Sequence, residues 1–521
     1  MTRNANLEHP ALGSIIGLDL NQSVQYRGVP YATLDHQFAD AVLFENKGRR
    51  PIDATRYGTQ SIQPSETCDM EHAIIQHTLP HGEMKDSGTD CLSLNITVPK
   101  GQSSGLPVLV FIHGGGYFMG AGSWPQFDMQ RIVALSIQCG KPIIGVTINY
   151  RLGAPGFLTS KELTSYGIKP DRGLQDQAAA FTWLQRHIGG FGGDPQRVTA
   201  SGVSAGSISI LLHLAKDQPL FNQAVCMGGT PALIPRLPIE VAESTYASVL
   251  EKLGITDDSP AERVRKLKET DRADWVTKLG PGLALSPVAD KDENKAPFYQ
   301  AGVPEEDITP PGWCPRIMLG DCEMDSSILA YMLGPRADDI GAKFHTVLDQ
   351  SLADSPGAKA ALLTGYDSQQ GGGTVSFLHF AHDVVQLAAT SLIASRWPGP
   401  AYVFHFNEPN PWEGRFKGVA SHLLDTAFLF QNYEEYLDEE QAASGRTFGR
   451  HLIEFVSGEE PYATFSSGMG KAQIYGPGEP RSRQVHAKDL LAAGRRDRIF
   501  RLAEDVGLDR LTSIVHMTLQ P

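Results

Sequence analysis

The residues with the clearest chemical potential lie in the stretch Val198-Thr199-Ala200-Ser201-Gly202-Val203-Ser204-Ala205-Gly206-Ser207. A β-branched run ends there in Gly-x-Ser-x-Gly and gives way to Ile208-Ser209-Ile210-Leu211-Leu212-His213-Leu214, which reads as an apolar helix. Strand, tight turn and helix in that order make a nucleophile elbow, with Ser204 held in a strained conformation at the head of the helix. Gly202 and Gly206 have no Cβ, so the chain turns sharply and strand and helix pack closely. The new helix points free N–H groups and its positive dipole end at the Ser204 oxygen, where a tetrahedral oxyanion would form. A second stretch, Ile112-His113-Gly114-Gly115-Gly116-Tyr117-Phe118, follows an apolar run and precedes the serine by roughly 90 residues. Consecutive glycines let neighbouring N–H groups point the same way at close range, as an oxyanion hole requires. Together the two stretches point to acyl transfer by a serine nucleophile.

Such a site needs a scaffold of strands ending at one edge. Pro107–Ile112 is a continuous apolar run of strand length, the pattern of a strand covered on both faces in a parallel sheet. Similar runs recur at Ile143–Ile148, Val198–Val203, Ala224–Met227, Arg316–Gly320 and Ala401–Phe406. Between the second and third, Leu174, Ala178, Phe181, Leu184 or Gln185, and Ile188 fall on one face of a helix. Alternating strands and helices predict a mainly parallel, doubly wound α/β sheet. Residues 11–60 read as a small antiparallel opening, clearest at Ser23–Ala32. The insertions at about 230–315 and 335–400 carry helical patches and are expected to roof the C-terminal edge of the sheet and shape a pocket. Within them, Asp290–Gly312 reads as a surface excursion and Gln369–Gly373 as a flexible loop.

The chain of 521 residues, 41 % hydrophobic and 20 % charged, can bury a large core, and one domain over 1–521 is expected. Its 45 basic and 59 acidic residues give a net charge of −14, which argues against nucleic acid or an anionic membrane as partner. Arg481, Arg483, Lys488, Arg495, Arg496, Arg498 and Arg501 cluster locally, but the interleaved Asp489, Asp497 and Glu504 make that segment a solvated face. Met1–Pro10 lacks the apolar core of a signal peptide, and no apolar run approaches a membrane span. A cytoplasmic protein is therefore expected, or a mature form whose leader was removed. The six cysteines do not form a disulfide scaffold, and no Cys/His spacing resembles a zinc site.

Further blocks occur in order along the chain: Arg27-Gly28-Val29-Pro30-Tyr31-Ala32, Asp90-Cys91-Leu92-Ser93-Leu94-Asn95, Asn149-Tyr150-Arg151-Leu152-Gly153, Gly173-Leu174-Gln175-Asp176-Gln177 and Phe191-Gly192-Gly193-Asp194-Pro195. With the glycine turn and the elbow, they make the chain resemble the type-B carboxylesterase and cholinesterase family of α/β-hydrolases. The resemblance implies an α/β-hydrolase fold with a helical cap over an active-site gorge. It implies Ser204 as nucleophile, the N–H groups of Gly115, Gly116 and Ala205 as oxyanion hole, and a possible Cys68–Cys91 bridge. Because the order in this fold is serine, acid, histidine, His422 is the expected base among the 16 histidines. His405 reads instead as a packed core residue and His382 as part of a helical apolar patch. Matching Gly320 to the family glycine puts the acid on Asp325; Glu323 and Asp321 are the alternatives, and the carboxylates not used are expected in solvent.

Where the family commonly has Glu before the nucleophile this chain has Val203, and Gly228-Gly229 replaces Ser-Gly after the next strand. Gln37 and Thr89 stand where the family has an Arg and a Glu, so both ends of one ion pair are replaced together, which costs less than losing one. No Trp lies between Cys68 and Cys91, where cholinesterases carry the cation-binding indole, and Lys85 lies near that place. Tyr117, Phe118 and Val203 suggest an apolar pocket. These features predict a serine carboxylic ester hydrolase acting on neutral, largely apolar esters with neither metal nor organic cofactor. A biosynthetic acyltransferase, lactonase or cyclase with the same triad, a non-catalytic binding protein and a peptidase are the rival readings.

Overall fold

The structure is a computed structural model that describes residues 3–520 apart from 49, 102–103, 281, 290–295, 303–307, 310–311, 367–371, 466–469, 487–488 and 491–497. Much of the expected Asp290–Gly312 excursion, most of the Gln369–Gly373 loop, and Lys488, Arg495 and Arg496 of the basic segment lie outside the described residues.

The strands of the main sheet are β1 (Arg3–His9), β2 (Gly13–Asp19), β3 (Ser23–Pro30), β4 (Ser93–Pro99), β5 (Leu106–Ile112), β6 (Ile144–Ile148), β7 (Gly193–Val203), β8 (Gln223–Met227), β9 (Arg316–Cys322), β10 (Ala401–Phe406), β11 (Lys471–Tyr475) and β12 (Ser482–His486). They lie in the order β1-β2-β3-β4-β6-β5-β7-β8-β9-β10-β11-β12, with the short strand Ile52–Asp53 beside β2. From β6 across to β11 every pairing is parallel, and the flanks are antiparallel except where Ile52–Asp53 lies parallel to β2. The antiparallel opening read from residues 11–60 is thus continuous with the main sheet rather than a separate unit.

Side chains alternate along β5, and the alternation sorts the core. Val108, Val110 and Ile112 enter one cluster with Trp183, Phe181 and Ile210, while Leu109 and Phe111 enter another with Phe127, Ile132 and Phe430. Burying both faces explains why the central strands are apolar throughout. The helix Arg172–His187 turns Leu174, Phe181 and Leu184 inward as its 3.6-residue period requires. Arg151 and Asp176, from two of the ordered sequence blocks, meet in a buried two-pronged ion pair at 2.7 and 2.8 Å.

The two insertions have cores of their own. Tyr246, Val249, Val264, Leu267 and Trp275 of the first pack on Phe38 and Leu158. Gln37 ties this insertion down: its amide donates to the carbonyls of Leu267, Lys268 and Thr270 and its oxygen accepts from Trp275 Nε1. The second insertion holds a helix, Gly373–Ser395, of 23 residues and mean hydropathy 1.2, long and apolar enough to cross a bilayer. The sequence reading missed it because His379, His382, Asp383 and Gln386 interrupt the apolar run, yet 89 % of its apolar window is buried inside the fold. The helix touches the C-terminal edge of the sheet through two main-chain carbonyls and one side-chain amide. Leu378 O accepts from Ser326 Oγ (2.5 Å), Val385 O from Thr230 Oγ1 (2.5 Å), and Gln386 Nε2 donates to Gly228 O (3.2 Å).

Candidate active site

Ser204 stands between the end of β7 and the helix Ala205–Leu214, at φ 55° and ψ −124°. That left-handed conformation is rare for a residue with a side chain and costs of order 1–3 kcal/mol, so its surroundings must enforce it. They do so with glycines and backbone. A Cβ on Gly202 would lie 2.6 Å from the carbonyl carbon of Gly206, and one on Gly206 only 2.1 Å from Ile112 O. The Ser204 N–H donates to Met227 O at 2.9 Å, which pins the turn to β8.

The glycine turn after β5 lies against this elbow: a Cβ on Gly114 would come within 3.0 Å of Ser204 Cβ. Gly115 and Gly116 both have positive φ, 94° and 59°. His113 beneath them stacks on Tyr150 at 4.5 Å, and burial lowers its pKa to about 4, so it is a neutral packing ring at ordinary pH. The Ala205 N–H opens the helix, where no preceding turn can accept it.

His422 and Asp325 come together from two loops that follow β10 and β9. His422 Nδ1 lies 2.7 Å from Asp325 Oδ1, and both side chains are buried. The other carboxylate oxygen of Asp325 accepts from Cys322 N–H at 2.7 Å. The loops are stitched to each other: Met324 N–H donates to Ala420 O, and His422 N–H to Ser327 Oγ, both at 2.9 Å. This close seam brings the Asp325 carboxylate to the imidazole. A carboxylate so placed fixes the imidazole tautomer and orients the ring. Glu323 lies beside this seam, its N–H donating to Phe406 O. Asp321 is not in solvent, contrary to the sequence expectation; it is buried and paired with His405 Nδ1 at 2.8 Å, a second His–Asp pair inside the sheet.

Gly228 and Gly229 connect the two halves of the site. A Cβ on Gly229 would lie 2.3 Å from Ser204 O, and one on Gly228 would lie 2.8 Å from Asp325 Oδ1. The pair therefore fills a space too tight for side chains.

Three other expectations are corrected. Cys68 and Cys91 are both free thiols. Cys91 packs in one core cluster and Cys68 in another, and neither thiol has a disulfide partner. Tyr117 and Val203 give no surface to a ligand: each is wholly buried, again in different core clusters, with Tyr117 turned inward by a φ of 66° onto Phe157. Phe118, 46 % exposed, is the one of the three whose ring is accessible.

Two further carboxyls lie near His422. Asp425 and Glu71 are both buried and within electrostatic reach of it. Burial pushes the Asp425 carboxyl up to about 7, with the Asp325 charge adding to the effect. Burial likewise pushes Glu71 up to about 7, although Gln126 Nε2 donates to it. No periodicity marks either residue as internal; Asp425 could have been noticed only from its place three residues after His422. A carboxyl raised in this way holds its proton better in the folded state than in the unfolded one. Its stabilising effect is complete below the unfolded value near 4 and is lost as pH rises through about 7. Asp425→Asn should therefore gain stability over the parent between pH 5 and 8.5, by on the order of 1 kcal/mol or more. Urea unfolding at the two pH values checks this, and an equal difference at both would show that Asp425 does not titrate in that range.

A model of the carboxylesterase family matches residues 4–481. Lipase 3 of Yarrowia lipolytica (strain CLIB 122 / E 150) is 28 % identical over 485 residues, covering 88 % of this chain and 89 % of its own length. Para-nitrobenzyl esterase of Bacillus subtilis (strain 168) is 35 % identical over 256 residues, 47 % of either chain. A solved PNB esterase structure superposes with a TM-score of 0.70 at 24 % identity, over 94 % of this chain and 99 % of that one, and so shares the fold.

Proposed function

The chain belongs to the carboxylesterase family and is a carboxylic ester hydrolase, and we propose that it works by acyl transfer through Ser204, His422 and Asp325 on neutral, largely apolar esters. The observation that supports this most directly is the Asp325–His422 hydrogen bond on loops beside an elbow whose serine is held at positive φ. In the proposed cycle His422 takes the Ser204 proton as the oxygen attacks the ester carbonyl. The tetrahedral oxyanion is held by the N–H groups of Gly115, Gly116 and Ala205. His422, held as the imidazolium beside Asp325, gives its proton to the departing alcohol oxygen. Water then attacks the acyl-enzyme in the same way and releases the acid, so the cycle consumes one ester and one water.

The second insertion is proposed as the roof of the acyl pocket, since its helix Gly373–Ser395 bonds to the loop that carries Gly228 and to Ser326, next to Asp325. A fluorophosphonate probe tests the chemistry: the parent should be labelled on Ser204 and Ser204→Ala should not. Labelling of the variant at the parent's rate would overturn the assignment.

Selectivity gives a second test. Lys85 and the absence of a Trp between Cys68 and Cys91 disfavour a quaternary ammonium. Neutral esters should be turned over faster than choline esters of equal acyl length, by about tenfold or more in kcat/KM. A choline ester preferred over its neutral counterpart would show the pocket to have been misread.

A further inference from the structure

Away from the proposed triad, Cys68 and His72 stand four residues apart on one face of the helix Thr67–Ile75, and His81 comes back to them from the loop that follows. One ligand atom from each, the Cys68 Sγ and a ring nitrogen from each histidine, all lie within 4.8 Å of one another. We propose that these three side chains form a site for a thiophilic divalent cation, Zn2+ first among them, that clips this helix to its following loop.

Three observations carry it. The first is the donor set: one thiolate and two imidazoles suit tetrahedral Zn2+ and do not suit Mg2+ or Ca2+, which take oxygen. Ligand atoms around tetrahedral zinc are about 3.5 Å apart, so the present spacing closes by small side-chain rotations.

The second is His72. Its ring is fully buried, and its Nδ1 is a buried atom with no hydrogen-bond partner among the described residues. Its Nε2 faces Gln126 Oε1 at 3.1 Å, while Gln126 Nε2 donates to Glu71 Oε1 at 2.8 Å. The Glu71 carboxyl, accepting from the amide, orients it; the amide oxygen then takes the proton on Nε2, and the lone pair is left on Nδ1. Metal-bound imidazoles are oriented by such second contacts. A buried nitrogen without a partner is costly in a fold, and a cation would supply what it lacks.

The third is His81, whose Nε2 lies 3.0 Å from Asp69 Oδ1 and whose Nδ1 lies 3.1 Å from Gly82 O. Coordination through one nitrogen gives up one of these contacts and keeps the other to hold the ring. Cys68 and His81 also line a cleft of about 520 Å³ open to solvent, which gives a cation access and leaves room for water as fourth ligand. As the sulfur–zinc bond forms, the Cys68 thiol proton passes to solvent. The clip would tie down the same stretch for which the sequence had suggested a Cys68–Cys91 bridge. It is independent of the ester chemistry, because none of the three ligands belongs to the proposed catalytic set.

The test uses the full chain stripped with a chelator. Zn2+ competition against a chromophoric chelator should give one equivalent bound, and Co2+ should give a thiolate charge-transfer absorption. Cys68→Ser should abolish that absorption, and His81→Ala should weaken Zn2+ binding by about tenfold or more. Ester turnover by the metal-free variants, close to that of the parent, reports that they fold; should Cys68→Ser fail this check, His81→Ala decides, since its ring sits at the surface. Absence of stoichiometric uptake at micromolar Zn2+, a charge-transfer band that survives in Cys68→Ser, or unweakened binding by His81→Ala would each overturn the proposal.

Discussion

Ser204→Ala should abolish ester turnover, with kcat falling by about 10⁶-fold while the fold is retained. The size of the effect follows from the way triad members act as a unit: without the serine oxygen, His422 and the backbone donors have no attacking group to assist. Alanine is smaller than serine and accepts the same neighbours, so the elbow stays closed, although the strain at φ 55° remains. Steady-state kinetics on a chromogenic neutral ester and a thermal scan check both halves. Turnover within tenfold of the parent, in protein of unchanged melting behaviour, would remove Ser204 from the mechanism.

The next largest effect belongs to the acid. Asp325→Asn should lower kcat by about 10⁴-fold with KM little changed, because an amide at 2.7 Å from Nδ1 can present its NH₂ and favour the tautomer with the proton on the wrong nitrogen. The Cys322 N–H, which now donates to the carboxylate, can still donate to the amide oxygen, so the loop keeps its shape. Glu323→Gln should cost less than about tenfold, since the hydrogen bond to His422 is made by Asp325. The reverse ranking of the two variants would move the acid to Glu323.

How far this was legible from residues alone depended on burial. The six central strands were readable, most of them to within a residue or two of an end, because burial on both faces leaves continuous apolar runs. Strands β11 and β12 were missed: they form a flank where Lys471, Gln473, Arg483 and Gln484 face partly polar surroundings, so no run survives. Ser204, the glycine turn and His422 were legible because turn geometry and chain order restrict them. The choice among Asp321, Glu323 and Asp325 was not, since three acids within five residues differ only in where a loop turns them. The sheet then divided them, sending Asp321 to His405 and Asp325 to His422. Buried Glu71 and Asp425 left no trace in any hydrophobic pattern, which records apolar residues and is silent on polar ones that are enclosed. The suggested Cys68–Cys91 pairing failed because linear order cannot say which core cluster each cysteine will join.

The glycines that crowd Ser204 also set how this chain can diversify. Gly114, Gly202, Gly206 and Gly229 face the serine or its supporting backbone at distances of 3.0 Å or less for an added Cβ. Substitution at these four places is therefore disfavoured whatever the substrate, because a side chain there must displace the backbone that carries Ser204 or supports it. On the proposed reading, in which the second insertion roofs the pocket, new preferences are acquired further out, there and at the exposed ring of Phe118. Drift in this lineage should leave an invariant glycine collar around a freely varying rim.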